Sequence, residues 1–423
     1  MEVNTRLKSL GQSSTLRIQE VYRELSQAGG DLINLGLGQS PFPVPSSIQR
    51  ALASEVHRKD YLSTSGLKEL RHLIARFHQS REGVSLCEDR VIIGPGSKEI
   101  IFLTQLCHSG PLVLNTPCWV TYEPQAKILD KKILKIHTHQ ENNWKIDPKD
   151  LDNSLSLASE GSVPALLILN YPNNPHGGGY SASELEELAR VCARHKAIVL
   201  SDEIYAETNF EGSHTSISRF YPEGTIMTSG LSKWCGAGGW RLGYGIFPSR
   251  LKDLYRAVCA VASETFSSVC APVQYAALRA FEDSGELERY RQDTRRILAA
   301  LSDQCFQILK GAGLRVSPAV GSFYLFPGFC EHQSQLESLG LSSGREICEY
   351  LLNKKLVASL PGEEFGRDGA ELNLRISLVD FDGETVLDTI AKEDHQWIPD
   401  LNWLESHCPR VLEGCRRIAS LLS

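Results

Sequence analysis

Lys233 is the residue of this sequence best suited to act as a nucleophilic amine. It lies in SGLSKWCGAGGWRLGYG (229–245), where its neighbours are Gly, Ser, Cys, Ala and Trp, and the next charged residue along the chain is Arg241. A lysine in such surroundings loses solvation of its charged form, so its pKa falls and more neutral amine is available to attack a carbonyl. A buried salt bridge between Lys233 and one acid explains this segment equally well.

Two further segments carry polar groups that would suit a charged heterocycle. Asp202 ends the apolar run IVLSD, and a buried carboxylate there can pair with a pyridinium nitrogen and keep it protonated. Tyr205 can donate a hydrogen bond to a phenolate-like oxygen, and Asn174, in NYPNNPHGGG, is a neutral donor for the same atom. The competing interpretations are a helix cap for Asp202 and a turn asparagine for Asn174.

A third group of residues would suit a phosphate. A strand followed by a Gly-rich turn and a helix start leaves backbone N–H groups free at the positive end of the helix dipole. Such turns are common, so this signal is weak alone. The residues that could bind a phosphate here are Gly96, Ser97, Lys98, Ser232 and Arg241.

Arg375 and Trp119 complete the candidate residues. Arg375 lies in the apolar strand LNLRISL, and a buried arginine needs an anion; a substrate carboxylate bound by both guanidinium arms would serve, as would a structural ion pair. Trp119 could stack on a cofactor ring, although a tryptophan of the core is the more common case.

The elements around these residues indicate a parallel sheet. Residues 164–170 form a short apolar run, residues 181–196 have helical spacing with a capping box between Ser181 and Glu184, and KAIVLSDEIY returns as a strand. This order is a βαβ unit, which favours a parallel sheet covered by helices. Ligands of such sheets bind at the carboxyl ends of the strands, where the polar residues above are expected.

Composition limits the function classes. The chain has 423 residues, 42% of them hydrophobic, and a net charge of −7, which argues against nucleic acid or an anionic membrane as partner. No apolar run approaches the ~20 residues of a membrane span, and no signal peptide is apparent, so we expect a cytoplasmic protein. The twelve cysteines contain no Cys-x-x-Cys pair and are expected to be reduced, small hydrophobic residues. Cys235, two residues past Lys233, is the main exception to consider, and packing near a cofactor is the favoured interpretation.

No metal site is expected. His137 and His139 lie on one face of a predicted strand, but no Cys, Asp or Glu nearby completes a ligand set. The pair is therefore interpreted as part of a surface strand.

Taken together, the segments resemble the fold-type I pyridoxal-phosphate (PLP) enzymes, in particular the class I/II aminotransferases of the aspartate aminotransferase superfamily. GLSKWCGAGGWRLGY is similar to the family's cofactor-lysine segment, NYPNNPHG to its Asn-x-Pro-x-Asn-Pro-Thr-Gly run, and SDEIY to its Asp-Glu-x-Tyr run. The resemblance extends from about Leu35 to about Leu378. Several weak motifs in the expected order form a strong joint signal.

The resemblance implies a role for each candidate residue. Lys233 would bind PLP as a Schiff base and move the α-proton, Asp202 would pair with the ring nitrogen, and Asn174 and Tyr205 would bond the ring oxygen. Trp119 would stack on the ring. The phosphate would be held by Gly96, Ser97, Lys98, Ser232 and Arg241, and by Tyr61 of the neighbouring subunit. The substrate would contact Gly38, Asn174 and Arg375.

The resemblance also implies an architecture and partners. The fold would be α/β, with a large PLP-binding domain (40–280) around a mainly parallel seven-stranded sheet between helices, and a small α+β domain from 1–39 and 281–423. The shared Tyr61 implies a homodimer with shared active sites. The partners would be an L-α-amino acid and a 2-oxo acid, with no nucleic acid and no membrane.

Four features depart from the family pattern. His176 stands where the family usually has threonine, the glycine run extends to Gly179, and Gly230 replaces a phosphate-binding serine or threonine of some relatives. The segment at about 393–423 carries two tryptophans and two prolines before a helical end. We interpret it as an extra packing element of the small domain; a role in closing the site or in dimer contacts is the alternative.

The expected reaction is transamination, in which an amino group moves from an L-α-amino acid to a 2-oxo acid. A PLP-dependent lyase or oxidase would use the same lysine, aspartate and arginine, so these motifs alone do not separate the reactions. A non-catalytic regulator is disfavoured, because the residues before LGLGQSPF are too few and not basic enough for a DNA-binding segment. The amino donor is not specified by the sequence.

Overall fold

A computed structural model of the chain describes residue 11 and residues 31–158, 163–282 and 284–422. The strands within these residues are β1 (Ile33–Asn34), β2 (Val91–Gly94), β3 (Leu112–Thr116), β4 (Ile133–His137), β5 (Leu166–Asn170), β6 (Ile198–Asp202), β7 (Thr225–Gly230), β8 (Gly243–Ile246), β9 (Tyr324–Leu325), β10 (Val357–Ala358), β11 (Leu360–Pro361) and β12 (Leu374–Ser377).

Helices alternate with these strands through most of the chain. In the described residues they are α1 (Ser46–Glu55), α2 (Lys68–Glu82), α3 (Ser97–Cys107), α4 (Tyr122–Ile128), α5 (Pro148–Ala158), α6 (Ala182–Arg194), α7 (Lys252–Thr265), α8 (Ala271–Leu278), α9 (Gly285–Gly311), α10 (Gln333–Ser338), α11 (Gly344–Lys355), α12 (Gly383–Ile390), α13 (Leu401–His407) and α14 (Pro409–Ala419).

The central sheet has seven strands in the order β2-β8-β7-β6-β5-β3-β4. Strand β8 pairs antiparallel with both neighbours, and the remaining pairs are parallel. Strands β3, β5, β6 and β7 are buried along their whole length, as expected for strands covered on both faces. The predicted α/β fold with a mainly parallel seven-stranded sheet is confirmed.

The βαβ unit between residues 164 and 205 forms as predicted. Strand β5 leads into α6, and β6 returns beside β5 in parallel, with Asn170 opposite Asp202. Helix α6 begins with a capping box in which the Ser181 side chain accepts from the Glu184 N–H and the Glu184 side chain accepts from the Ser181 N–H. This register places two polar side chains next to each other at the carboxyl edge of the sheet.

Two small sheets lie outside the central one. Strand β1 pairs in parallel with β10, and β11, β12 and β9 form an antiparallel sheet. Side chains of β1, β9, β10 and β12 share one core cluster with helix α9. Residues near both ends of the chain therefore pack together, and β12 carries Arg375.

The C-terminal segment packs onto this same core. Leu404 and Leu412 are fully buried in it, and Trp397 and Trp403 pack at its margin. Arg296 of α9 donates to the backbone carbonyl oxygens of Asp394 and Trp397 at 2.8 Å each. These contacts agree with a packing element, which was the favoured interpretation of the segment.

None of the described helices combines the length and apolar character needed to cross a membrane. Within the same residues, no three His, Cys, Asp or Glu side chains come together as a set of metal ligands. His137 and His139 are exposed, and β4 ends at His137, so His139 lies beyond the strand on which it was predicted.

Candidate active site

A cavity of about 430 Å³ opens at the carboxyl edge of the central sheet, facing the small sheets. Most of the predicted site residues line it. They are Gly38, Ser97, Lys98, Trp119, Asn174, Asp202, Tyr205, Ser232, Lys233, Arg241 and Arg375.

Lys233 follows β7 and points its amine across the cavity. Its Nζ donates a hydrogen bond to the backbone carbonyl of Gly38 at 2.6 Å. Desolvation, and then the positive charge of Arg375, lowers the pKa of Lys233 to about 8, while the carboxylate of Asp202 acts in the opposite direction. A substantial fraction of this amine is therefore neutral near physiological pH, as a nucleophile or proton acceptor requires.

Asp202 stands at the end of β6, with 2% of its surface exposed. Its Oδ2 accepts a 2.6 Å hydrogen bond from the Tyr122 hydroxyl, whereas its Oδ1 is buried and has no hydrogen-bond partner within the described part of the chain. Burial raises the pKa of Asp202 to about 6, against the hydrogen bonds from Tyr122 and the Ile204 N–H and the charge of Lys233. An unpaired buried acceptor on a cavity wall suits the N–H of a protonated heterocycle.

Neutral hydrogen-bonding groups lie between Asp202 and Arg375. Asn170 Nδ2 donates to the Asp202 carbonyl at 2.8 Å, and Asn170 Oδ1 accepts from the Asn174 N–H at 2.9 Å. The Tyr205 and Tyr324 hydroxyls are 2.9 Å apart. Burial raises the pKa of Tyr205 well above its usual value, so it is a protonated phenol and a hydrogen-bond donor.

The opposite end of the cavity is built to receive an anion. Helix α3 begins at Ser97, after Gly96 with a φ of +90°. A Cβ on Gly96 would lie 2.3 Å from Arg241 Nη2, so only glycine allows the guanidinium to approach the helix start. Arg241 is oriented by the carbonyls of Pro95 and Gly238, at 3.1 and 2.9 Å. A phosphate fits this combination of helix N-terminus and guanidinium.

Lys98 and Trp119 form the wall next to this end. Lys98 Nζ lies 5.0 Å from the centroid of the Trp119 ring. Burial, and then the charge of Arg241, lowers the pKa of Lys98. Trp119 packs edge-on against Tyr122, with ring centroids 5.3 Å apart. The indole therefore borders the cavity close to Asp202, where a planar ring could stack on it.

Arg375 is buried on β12 with 1% of its surface exposed. Its Nη2 donates to the Gly36 carbonyl at 2.5 Å and its Nη1 to Asn174 Oδ1 at 3.3 Å, and its Nε has no hydrogen-bond partner among the residues that the structure describes. Burial lowers the pKa of Arg375, which reports an environment that disfavours the charge. A carboxylate in the cavity would supply the missing counter-charge.

Gly38 must be a glycine for a steric reason. A Cβ there would lie 2.4 Å from the Tyr324 hydroxyl. Because the Gly38 carbonyl holds Lys233, the segment that follows β1 places its backbone directly in the cavity wall.

Some residues named from the sequence lie outside the cavity. Tyr61 is 92% exposed, so its predicted role in a neighbouring subunit stays a prediction. Cys235 is fully buried behind the Lys233 segment, and burial raises the pKa of its thiol. His176 is buried and accepts from the Gly178 N–H at 3.0 Å, so it stabilises the turn after β5.

Among the cavity residues to which the sequence assigned no role, three make side-chain hydrogen bonds within the site: Tyr122, Asn170 and Tyr324. Asn170 had a usable signal, because it ends the strand beside the one that Asp202 ends. Tyr122 and Tyr324 contact their partners across 80 and 119 residues of sequence, and no local pattern indicates such contacts.

The chain was compared with known proteins. The family model described as aminotransferase class I and II matches residues 30–390. The aspartate aminotransferase of Geobacillus stearothermophilus is 31% identical over 413 residues, which cover 94% of this chain and 99% of that relative. The asparagine–oxo-acid transaminase of Streptococcus mutans is 28% identical, with 89% and 94% covered. Among solved structures, the aspartate aminotransferase from Thermus thermophilus with maleate superposes with a TM-score of 0.82, at 25% identity, covering 93% of this chain and 99% of that one.

Proposed function

Since the chain belongs to the class I and II aminotransferases and is a PLP-dependent transaminase, we propose that the cavity below Lys233 is its active site. The observation that carries this assignment is the unpaired, buried Oδ1 of Asp202 in a cavity that also contains the Lys233 amine. A carboxylate of this kind is suited to the ring N–H of PLP, and a lysine with a depressed pKa is suited to its aldehyde.

Each wall of the cavity then has one task. Ser97, Ser232, Arg241 and the helix start at Gly96 bind the phosphate, Trp119 stacks on the ring, and Asn174 and Tyr205 donate to the ring oxygen. When bound, PLP accepts the electron pair released as a bond to the substrate α-carbon breaks. Asp202 holds the proton of the ring nitrogen, which makes this acceptance favourable.

Lys233 is the group that moves the proton. Its Nζ accepts the α-proton when an amino acid is converted to its oxo acid, and it returns a proton to the α-carbon when an oxo acid is converted to an amino acid. A pKa of about 8 allows both directions near neutral pH. Arg375 and Asn174, together with the backbone near Gly38, orient the substrate carboxylate so that the α-carbon faces this amine.

We further propose that the amino donor is a dicarboxylic amino acid such as aspartate, the substrate in the names of several relatives. The support for this proposal is the excess of positive charge in the cavity lining. The described residues lining the cavity include four cations (Lys98, Lys233, Arg241 and Arg375) and one acid, Asp202. Lys233 is matched to PLP, Arg241 to its phosphate and Arg375 to the α-carboxylate of the substrate. Lys98 then remains for a second carboxylate.

Lys98 was also predicted to hold the phosphate, and one variant separates the two roles. If it contacts the second carboxylate, Lys98→Met raises the KM for aspartate by about 10-fold or more and leaves the KM for alanine unchanged. If Lys98 holds the phosphate, PLP dissociates more readily from the variant, and the activity falls to a similar extent with every amino donor. To measure the response to each donor, single amino acids are added to the purified holoenzyme, followed by a 2-oxo acid. The loss and return of the cofactor absorption band report the two half-reactions.

The proposed assembly is a homodimer in which Tyr61 reaches the phosphate of the neighbouring site. The support is its position, since Tyr61 is 92% exposed among the described residues. Co-expression of Tyr61→Phe and Lys233→Ala chains tests this. A shared site predicts that mixed dimers contain one intact site and exceed the activity of either variant alone. Additive activity, or a monomer by light scattering, would exclude sharing.

The domain division and the location are proposals as well. We place the large domain at 40–280 and the small domain at 1–39 and 281–423. The support is that the central sheet runs from Val91 to Ile246, and that β1 pairs with β10. All twelve cysteines are free, which supports a reducing compartment such as the cytoplasm.

A further inference from the structure

A buried ion cluster lies behind the active site, centred on Glu207. The Glu207 carboxylate pairs with Arg81 at the end of α2 and with two residues of α9, Arg291 Nε at 3.1 Å and Arg295 Nη2 at 3.5 Å. Arg295 Nε also donates to the Glu207 backbone carbonyl at 2.8 Å. Glu207 is two residues past Tyr205, so the cluster holds the turn that carries this phenol.

The same cluster reaches the Lys233 segment. The Arg291 guanidinium lies 4.8 Å from the ring centroid of Trp234, the residue that follows Lys233. Arg291 is thus placed between the Glu207 carboxylate and this indole. One guanidinium connects the turn after β6 with the segment after β7, and these two segments carry Tyr205 and Lys233.

The cluster also occupies a special place along helix α9. Leu287 belongs to the core cluster that contains the strands at one side of the central sheet, whereas Ile297 and Leu301 belong to the core of the small sheets. Arg291 and Arg295 lie between these positions. The ion cluster is therefore located where the helix passes from one hydrophobic core to the other.

The charge of Glu207 is stable in this setting. Burial alone would raise the pKa of its carboxyl group, but the positive charges of Arg81, Arg291 and Arg295 outweigh this and hold the pKa below its usual value. Removing the carboxylate would take away the one partner that all three guanidinium groups share, and would leave the partly exposed Glu288 beside Arg291 and Arg295. Buried cations that lose their counter-charge force local rearrangement.

We propose that Glu207 and Arg291 are positioning residues that act from behind the active site. They hold the Tyr205 turn and the Lys233 segment at a fixed separation and tie both to helix α9, and through α9 to the core that carries Arg375. This inference rests on the roles assigned above to Lys233 and Tyr205.

The test compares Glu207→Gln with Glu288→Gln in the holoenzyme. Glu288 pairs with the same arginines, Arg291 at 3.1 Å and Arg295 at 3.9 Å, but from the solvent side, with 45% of its side chain exposed. It is therefore a control for loss of one negative charge. The readouts are hydrogen exchange of peptides covering 203–210 and 231–236, and the dissociation constant of PLP.

Positioning predicts that Glu207→Gln exchanges about 10-fold faster in both segments and binds PLP about 10-fold more weakly, whereas Glu288→Gln matches the wild type. Wild-type exchange and PLP affinity in Glu207→Gln, or equal changes in both variants, would overturn the proposal. A lower melting temperature of Glu207→Gln with unchanged local exchange would show that Glu207 only forms a structural ion pair, and it would also overturn the proposal.

A second variant covers the case in which Glu207→Gln does not fold. Arg291→Lys keeps the charge opposite Glu207 but loses the planar group that faces Trp234. It is expected to speed exchange in 231–236 and leave 203–210 unchanged; wild-type exchange in 231–236 would contradict the proposal. These exchange data do not depend on which lysine binds PLP. An error in the assignment of Lys233 would instead appear in the labelling experiment that closes the Discussion.

Discussion

Replacing Asp202 by asparagine separates what this carboxylate does to stability from what it does in catalysis. In the cofactor-free protein, burial raises the pKa of Asp202 from 3.8 to about 6. The folded state therefore binds this proton more tightly than the unfolded chain does. A pKa difference of this size means that folding favours the protonated form of Asp202 over the ionised form by about 3 kcal/mol.

The sign follows from proton linkage. Because the folded state binds more protons between pH 3.8 and about 6, stability falls as the pH rises through this window. At neutral pH the ionised carboxylate destabilises the cofactor-free protein by about 3 kcal/mol. Asparagine has the same shape without the charge, and it keeps an oxygen that can accept from Tyr122.

Cofactor-free Asp202→Asn is therefore expected to be more stable than the wild type at neutral pH, by up to about 3 kcal/mol, and equal to it at about pH 4. A chain of this length loses about 0.9 kcal/mol per degree near its midpoint, so the midpoint rises by about 3 °C. Thermal unfolding of both proteins across this pH range measures the difference. The holoenzyme of the variant should lose about 10²-fold or more in kcat, because a neutral amide does not keep the ring nitrogen charged.

The control is Asp253→Asn, since the side chain of Asp253 is 80% exposed and pairs only with a neighbouring arginine on α7. This change should alter stability by less than about 0.5 kcal/mol at any pH. If cofactor-free Asp202→Asn were less stable than the wild type at neutral pH, or if it kept full activity with PLP, the reasoning on Asp202 would be refuted.

Three other changes test neighbouring parts of the account. Tyr122→Phe removes the hydroxyl that bonds Asp202, so the pKa of that carboxyl should rise by about one unit. The acid limb of the pH dependence of PLP binding, measured by titration at several pH values, should then shift to higher pH; an unchanged limb would contradict this. Arg375→Lys should raise the KM of amino donors by about 10- to 100-fold with a smaller change in kcat, because one ammonium replaces two guanidinium arms; an unaltered KM in steady-state kinetics speaks against the carboxylate site. Ser181→Ala breaks the capping box with Glu184 and should lower the free energy of unfolding by about 1 kcal/mol in urea while turnover stays normal; wild-type stability would show that the cap is dispensable.

Much of the site was predictable because its residues end strands of one parallel sheet. Short apolar runs and the cap at Ser181 located β5, α6 and β6, and a parallel pairing of β5 with β6 brings their ends together. Asp202 and the turn with Asn174 then had to meet at one edge. Arg375 was a candidate because it lies in an apolar strand, but only the family resemblance put it in the same site, since its strand lies in a different sheet.

The remaining contacts depend on packing that no local pattern encodes. The Tyr122 hydroxyl reaches Asp202 only because α4 begins directly beside the end of β6, and Tyr324 reaches Tyr205 from the small sheets. Within GSFYLFPGF (321–329), Tyr324 and Leu325 form strand β9, and Gly321 and Gly328 make isolated bridges to residues distant in sequence, among them Asn209 and Asn373. The ion cluster around Glu207 joins three separate elements, so its members have no common motif.

The most direct test of the central claim is to identify the residue that binds PLP. Borohydride reduction of the holoenzyme fixes the cofactor to the amine that holds it, and digestion followed by mass spectrometry locates the modified residue. We predict a single modified peptide containing Lys233, and none in Lys233→Arg protein treated in the same way. Modification of another lysine, for example Lys98, or a holoenzyme in which no residue is modified, would contradict the assignment of the site.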